Sequence, residues 1–191
     1  WTNPGEIPDN GMDDDGNGHV DDVHGWDFVS NDNDPLDDNN HGTHVAGILG
    51  AVGNNGTGIA GASWSVRIQA LKALGADGEG SIFDIVKAVE YAADHNARIV
   101  NMSFGGPDYS LSLYNEIAAH PDILFVAAAG NGGDDDIGDD NDITPEYPAS
   151  YDLPNIMAVA ISDAHDNLAS FSNYGASSVD VAAPGVNILS T

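Results

Sequence analysis

The sequence contains no cysteine, very few basic residues and no long apolar run. Without cysteine a disulfide framework is excluded, and composition says nothing about the redox compartment. The longest apolar run, Ile123 to Ala129, is far too short to span a bilayer. Only four Lys and Arg residues stand against 31 Asp and Glu residues, which gives a formal net charge of −27. This charge argues against nucleic-acid and membrane partners and favours cations such as Ca²⁺ or basic peptides.

The remaining composition is that of a folded protein. Hydrophobic residues make up 41% of the 191 residues and charged residues 18%, which is enough apolar material for one domain with a sizeable core. The opening residues, Trp1 to Pro4, resemble neither an initiator sequence nor a signal peptide. We therefore expect the chain to begin inside a longer protein.

Acidic residues concentrate in two segments. The segment from Asp9 to Asp38 is rich in Asp, Asn and Gly and has little helical periodicity, so it is predicted to be a loop built around ligands. The segment from Asp134 to Asp142 is predicted to be a solvated loop.

Between and after these segments, apolar strands alternate with a helical pattern. Residues Ile82 to Asp94 are predicted to form an amphipathic helix, because Ile82, Ile85 and Val89 fall on one face. Strands are predicted over residues 66–73, 99–102, 123–129, 156–161 and 179–182. This alternation predicts an α/β fold of three layers, with a mostly parallel sheet and helices on both faces. Functional sites in such sheets lie at the carboxyl ends of the strands.

One heptapeptide, His41 to Gly47, carries the first chemical signal. Two histidines three positions apart on a helix could bind zinc, but the metalloprotease signature has Glu where Gly42 stands here. Alternatively, His41 is a general base at a helix N-terminus, with small residues behind it that allow close packing. A lone histidine would more often be a capping or core residue.

The heptapeptide is followed by further motifs, and together they resemble the subtilisin-like peptidases, or subtilases. The resemblance covers the chain from about His41 to its end, while residues 1–40 are similar to an acidic calcium-loop insertion of some subtilases. It implies one peptidase domain over residues 1–191, incomplete at both ends. The matching blocks after the heptapeptide are 74–78, 101–107, 127–131, 147–150, 171–175 and 183–186.

The resemblance assigns roles to individual residues. His41 would be the general base and Asn131 the side-chain donor to the oxyanion. For Asn131 the alternative is a turn asparagine before Gly132-Gly133, and for each glycine of the binding segments it is an ordinary loop glycine. Ala128 and Gly130 would line the pocket for the substrate residue before the cut. Two extended segments would flank the bound peptide: Gly78, Glu79 and Gly80, and Ser103, Phe104 and Gly105.

The acidic loop predicts a structural Ca²⁺ site. Oxygen ligands recur at Asp13, Asp15 and Asn17, before a glycine that permits a sharp turn. This is the opening of an EF-hand loop, except that His24 stands where the bidentate Glu is expected. His19 would offer its carbonyl, and Asp21 or Asp22 would close the shell. A solvated acidic loop is the alternative.

A second site could form from Asp32, Asp34, Asp37 and Asp38. For these four residues a solvated loop is an equally good interpretation.

Two catalytic motifs of the resembled family are not found in these residues. No Asp-Ser/Thr-Gly turn follows a hydrophobic strand before His41, and no Gly-Thr-Ser-Met-Ala helix start follows the Ala183-Pro184-Gly185 block. We therefore expect a fragment of a Ser-His-Asp enzyme, inactive by itself.

Three functions remain open for this chain. In order of preference they are a serine endopeptidase core, a non-catalytic calcium-stabilised binding module, and a zinc hydrolase using His41 and His44. The resemblance implies a polypeptide substrate, a secreted or extracytoplasmic location, and a propeptide or the remainder of the domain as partner.

Overall fold

The computed structural model describes residues 1–133, 135 and 137–191, so Asp134 and Asp136 of the predicted solvated loop lie outside the described residues. The described chain forms two compact units, Trp1–His95 with Leu189–Thr191, and Asn96–Ile188. The elements are, in order, β1 (Gly25–Asp27), α1 (His41–Gly50), β2 (Ala70–Lys72), α2 (Ile82–Asp94), β3 (Ile99–Met102), α3 (Leu111–Ala119), β4 (Leu124–Ala128), β5 (Ile156–Ser162) and β6 (Val181–Pro184).

The first unit contains a two-stranded parallel sheet in which Gly25 of β1 lies opposite Ala70 of β2. Gly25 has a φ of 127°, and a Cβ there would lie 1.8 Å from the Ala70 carbonyl oxygen, so only glycine fits. The expectation that residues 9–38 form only loop is wrong at β1. Packing decides this strand, because Trp26 is buried and its ring lies 4.5 Å from that of His19.

Helix α2 has the bounds that the sequence predicts. The Ser81 hydroxyl accepts a hydrogen bond from the Asp84 N–H and donates to the Asp84 carboxylate, which fixes the first turn. Ile85 and Val89 of the predicted apolar face are buried, at 7% and 2% exposure. Ile82, at 40%, stays exposed at the first position of the helix.

The second unit contains a four-stranded parallel sheet in the order β3-β4-β5-β6. Strand β3 has its predicted bounds, whereas β2, β4, β5 and β6 differ from prediction by one to four residues at an end. The predicted strand buried on both sides is β4, in which Phe125 and Ala127 are buried and their neighbours are half-buried. Helix α3 was not predicted from the sequence; Ser110 caps its N-terminus, and Leu113 and Ile117 are buried.

All four pairings between the named strands are parallel, and helices lie between the paired strands β1 and β2 and between β3 and β4. The predicted α/β class with a parallel sheet is therefore confirmed. The assignment of residues 1–191 to a single domain stays a prediction. None of the helices in the described part of the chain is long and apolar enough to cross a membrane.

Candidate active site

His41 is the first residue of α1, as the sequence predicts, and its side chain is exposed. Asn40 precedes it in the left-handed conformation, with a φ of 77°, and does not cap the helix with its side chain. The left-handed backbone of Asn40 turns the chain immediately before α1 begins. An exposed imidazole at the first helical position is free to meet a substrate or a nucleophile from outside the helix.

Asp37 caps α1 in place of Asn40. Its carboxylate accepts hydrogen bonds from the backbone N–H groups of Asn39 (2.9 Å), Asn40 (3.0 Å) and Thr43 (2.7 Å). The Thr43 hydroxyl lowers the pKa of Asp37 most, and these backbone donors lower it further, to about 2. The cap thus fixes the segment that carries His41 with a carboxylate that stays charged at all ordinary pH values.

Two of the four acids considered for a second cation site, Asp37 and Asp38, have other partners. Asp37 caps the helix, and the Asp38 carboxylate lies 2.8 Å from the Lys72 ammonium. Among the described residues these four form no group of three carboxylates within 4.8 Å. The second calcium site is therefore not supported by the geometry.

Asp27 ends β1 and is buried, but Phe28 and Val29 follow it, so it is not part of the Asp-Ser/Thr-Gly turn that was sought before His41. It does not resemble a triad aspartate. One carboxylate oxygen accepts hydrogen bonds from the Val29 and Ser30 N–H groups, and the other lies 2.9 Å from the Lys72 ammonium. Asp27 is thus a structural ion-pair partner.

His44 lies one turn after His41 on α1. The Ser190 hydroxyl donates to the His44 carbonyl at 2.6 Å, so this turn is covered by the last residues of the chain. No group of three candidate metal ligands in the described residues includes a histidine. The zinc interpretation therefore has no third ligand in that part of the chain.

The first predicted substrate segment, Gly78 to Gly80, forms the exposed end of a tight turn after β2. The Gly78 N–H donates to the Gly75 carbonyl at 2.9 Å, and the Gly75 N–H donates to the Glu79 carbonyl at 2.8 Å. Gly78 has a φ of 82°, which the turn requires. The turn is therefore held by its own backbone and by the Asn39 side-chain amide, which donates to the Ala76 carbonyl at 2.9 Å.

Asn131 lies in the loop after β4 and is exposed. The buried Asn173 side chain forms hydrogen bonds to this loop. The side-chain oxygen Oδ1 of Asn173 accepts hydrogen bonds from the Gly132 N–H (2.6 Å) and the Asp139 N–H (3.0 Å). The Asn173 amide donates to Asn141 at 3.0 Å, and Asn141 donates to the Ala129 carbonyl at 2.7 Å. Residues on both sides of Asn131 are thereby fixed.

Sequence reasoning did not assign roles to Asn141 and Asn173. Asn173 is the central residue of the Phe171-Ser172-Asn173-Tyr174-Gly175 block, so that block carried a signal. Its contact with Gly130 could not be predicted, because the two residues are far apart in the sequence. Asn173 is a positioning residue for the Asn131 loop.

We expect Asn173→Ala to lower the free energy of unfolding by about 3 kcal/mol, because two backbone N–H groups and the Asn141 oxygen lose a buried partner. Urea unfolding of the full-length protein measures this change. Asn167→Ala is the control, since Asn167 is exposed and bonds only to Asp163 in the described residues. Equal stability losses in the two variants would show that the buried Asn173 hydrogen-bond network does not contribute to stability as proposed.

The second predicted substrate segment, Ser103 to Gly105, follows β3 directly. Ser103 and Phe104 are half-buried and Gly105 is exposed. Ala128 is the last residue of β4, and Gly130, with a φ of 108°, turns the chain after it. Since β3 and β4 are paired and parallel, both segments leave the same edge of one sheet.

The acidic loop brings together three carboxylates, only two of which the sequence predicts. Ligand atoms of Glu6, Asp13 and Asp15 lie within 4.8 Å of one another. Glu6 is buried and accepts N–H bonds from the loop, at 2.9 Å from Asp14 and 3.2 Å from Asp21. The backbone N–H of Gly18 most strongly lowers the pKa of Asp13. Hard cations prefer such a cluster of carboxylate oxygens.

Asp21, Asp22 and His19 stay outside this group. Asp21 accepts the backbone N–H groups of Asn10 (3.0 Å) and Gly11 (2.9 Å). The His19 ring lies among aromatic rings, with its Nδ1 buried. The role of the His19 carbonyl as a cation ligand therefore stays a prediction.

Asp22 is fully buried and ties the acidic loop to α2. Its carboxylate accepts hydrogen bonds from Asn3 (2.8 Å), Asn17 (2.8 Å) and the Tyr91 hydroxyl (2.6 Å). Burial and this bond raise the pKa of Tyr91. Asp22 therefore stabilises the acidic loop from its buried side. Asn17, a predicted calcium ligand, is one of its hydrogen-bond donors.

Comparison with known proteins places this chain among peptidases. The subtilase family matches residues 6–191. A thermophilic serine proteinase of Bacillus sp. (strain AK1) is 48% identical over 171 residues, which are 88% of this chain and 40% of that protein. Thermitase of Thermoactinomyces vulgaris is 44% identical over 171 residues, 88% of this chain and 57% of that enzyme. Subtilisin BL of Lederbergia lenta is 41% identical over 169 residues, 87% of this chain and 58% of that protein. The chain thus spans about half the length of these relatives.

Proposed function

The chain belongs to the subtilase family, and from this membership we propose that it is the core of a serine endopeptidase, with His41 as general base and Asn131 as oxyanion donor. The observation that carries the proposal is the Asn131 loop. An exposed amide three residues after β4, on a loop fixed by buried asparagines, is a preorganised donor for a developing negative charge. A binding module of the same fold would not need this arrangement.

In the proposed mechanism the full-length protein supplies the serine nucleophile and the triad aspartate. His41 would take the serine proton and return it to the leaving amine, while the Asn131 amide stabilises the tetrahedral oxyanion. Gly78, Glu79 and Gly80, and Ser103, Phe104 and Gly105, would pair with the substrate backbone as flanking strands. The 191-residue chain alone would lack turnover because it has no nucleophile in the Gly-Thr-Ser-Met-Ala pattern.

Hydrolysis of casein by the full-length protein tests this proposal. We expect activity that phenylmethylsulfonyl fluoride abolishes and that a zinc-selective chelator leaves intact. Binding of casein without cleavage would favour the non-catalytic module instead. Loss of activity with the chelator and not with the fluoride would favour the zinc hydrolase.

We also propose a structural Ca²⁺ ion at the acidic loop. Glu6, Asp13 and Asp15 would supply carboxylate oxygens, with the Asn17 side chain and the His19 carbonyl completing the shell. Asp13 Oδ2 accepts only one backbone N–H bond, from Gly18 at 2.9 Å, and therefore keeps a lone pair for a cation. In this proposal Glu6 takes the place of the missing bidentate Glu, and Asp21 and Asp22 hold the loop.

We expect millimolar Ca²⁺ to stabilise the full-length protein by about 2.7 kcal/mol at a hundredfold excess over the Kd. Asp15→Ala and Glu6→Gln should each remove most of this effect, which thermal unfolding measures. Asp108→Asn, at an exposed position of the second unit, is the matched charge control. NaCl and MgCl₂ at equal ionic strength control for screening of the −27 charge. Equal midpoints in all three salts would show that the loop is merely solvated.

The partners and location follow the same proposal. A protease of this family would act on polypeptides, outside the cytoplasm, and would fold with a propeptide or with the remainder of its own domain. Strand β3 offers a surface for the latter, because its outer edge pairs with no strand in the described residues and Ile99 is 63% exposed.

A further inference from the structure

The Glu146 side chain lies against two glycines of the predicted substrate-binding segments. A Cβ added at Gly105 would lie 2.7 Å from Glu146 Oε1, and one added at Gly130 would lie 3.3 Å from Glu146 Cγ. Any larger residue at Gly105 would therefore meet the carboxylate. The aliphatic part of Glu146 thus covers Gly130, and its charged end reaches Gly105.

The backbone around Glu146 is fixed in this position. The next residue, Tyr147, forms a reciprocal pair of hydrogen bonds with Gly106, with N–H to oxygen distances of 2.8 and 3.0 Å. The Glu146 N–H donates to the Ser150 hydroxyl at 3.1 Å, and the Ser150 N–H donates to the Glu146 carbonyl at 2.8 Å. The carboxylate is therefore held against the Ser103–Gly105 segment by backbone contacts on both sides.

The carboxylate itself has no hydrogen-bond donor in the described part of the chain, residues 1–133, 135 and 137–191. Burial raises the pKa of Glu146, and the nearby charge of Asp139 raises it further. The residue is nevertheless only half-buried, so a ligand can reach it. A partly desolvated carboxylate without a hydrogen-bond donor carries an uncompensated negative charge. A cationic group of a ligand would supply both the donor and the opposite charge.

We propose that Glu146 selects a basic side chain, Arg or Lys, at the substrate residue that precedes the cut. This proposal rests on the proposed function, because the resemblance assigns Ala128 and Gly130 to the pocket for that residue. The chemistry favours Arg, whose planar guanidinium pairs with a carboxylate through two parallel hydrogen bonds. The −27 net charge would also draw basic peptides to the surface.

Chromogenic peptides that differ only in the residue before the cut (Arg, Lys, Phe or Glu) test this proposal in the full-length enzyme. We expect the highest kcat/KM for Arg, then Lys, and the lowest for Glu. Glu146→Gln should lower kcat/KM for the Arg and Lys peptides by about 10–100-fold and change that for Phe by less than about threefold. Glu146→Asp should retain part of the preference.

Glu116→Gln is the matched control, since it removes one half-buried carboxylate that pairs with His120 on α3. Glu116→Gln should leave the ratios of kcat/KM among the four peptides unchanged. If the wild-type enzyme cleaves the Phe peptide as well as the Arg peptide, the Glu146 proposal is overturned while the protease function stands, and this result does not depend on how any variant folds. A full-length protein that cleaves none of the peptides would overturn both.

Discussion

His41→Ala in the full-length protein is expected to lower kcat by about 10⁵–10⁶-fold, because the serine would lose its only general base. The effect should appear in kcat with little change in KM, since His41 would take part in proton transfer and would not bind the peptide. Steady-state kinetics with a chromogenic peptide measure both constants. The residual rate would come from the oxyanion donor and from substrate binding.

Two further histidine variants separate the competing functions. His165→Ala is the control, because its side chain is 85% exposed in a loop after β5, and it should leave kcat unchanged. His44→Ala should cost far less than His41→Ala in a serine peptidase. Equal losses at His41 and His44, restored by added zinc, would support the zinc hydrolase and contradict the triad role of His41.

Asn131→Ala is expected to lower kcat by about 10²–10³-fold and to leave KM nearly unchanged, because the amide would donate to an oxyanion that exists only in the transition state. The unfolding midpoint should barely move, since the Asn131 side chain is exposed. A rise in KM at constant kcat would instead show that Asn131 binds the ground-state peptide, and the oxyanion assignment would fail.

The contrast with Asn173→Ala sharpens this test. Both variants should lose activity, but only Asn173→Ala should also lose about 3 kcal/mol of stability, because only Asn173 is buried in a hydrogen-bond network. An activity loss without a stability loss therefore identifies a group that acts on the substrate, and a combined loss identifies a positioning residue.

The elements that sequence predicted well are those with strong local signals. Helix α2 has an apolar face with the helical period and a serine cap, and the structure gives it the predicted bounds. The HGTHVAG heptapeptide placed His41 at a helix N-terminus, which the structure confirms. In these segments the deciding interactions lie within a few residues of one another.

The missed elements depend on tertiary contacts that follow no helical or strand period in the sequence. Strand β1 has three residues and exists because Trp26 packs under the His19 ring and Gly25 admits the Ala70 carbonyl. Glu6 joins the acidic cluster from seven residues before Asp13, a spacing that no calcium-loop pattern contains.

Glu146 was missed for the same reason. Its place beside Gly105 and Gly130 comes from the pairing of Gly106 with Tyr147, which joins segments about forty residues apart. Loop-to-loop pairings of this kind leave no periodic pattern in a sequence. Only the folded chain shows which carboxylate meets which glycine.

Stoichiometric labelling of the full-length protein by a fluorophosphonate is the most direct test of the serine endopeptidase assignment. We expect one label per molecule, on a serine outside residues 1–191 and in a Gly-Thr-Ser-Met-Ala sequence. We also expect His41→Ala to slow labelling by several orders of magnitude, because the serine loses its base. A wild-type protein that hydrolyses peptides without being labelled, or a His41→Ala variant labelled at the wild-type rate, would contradict the account.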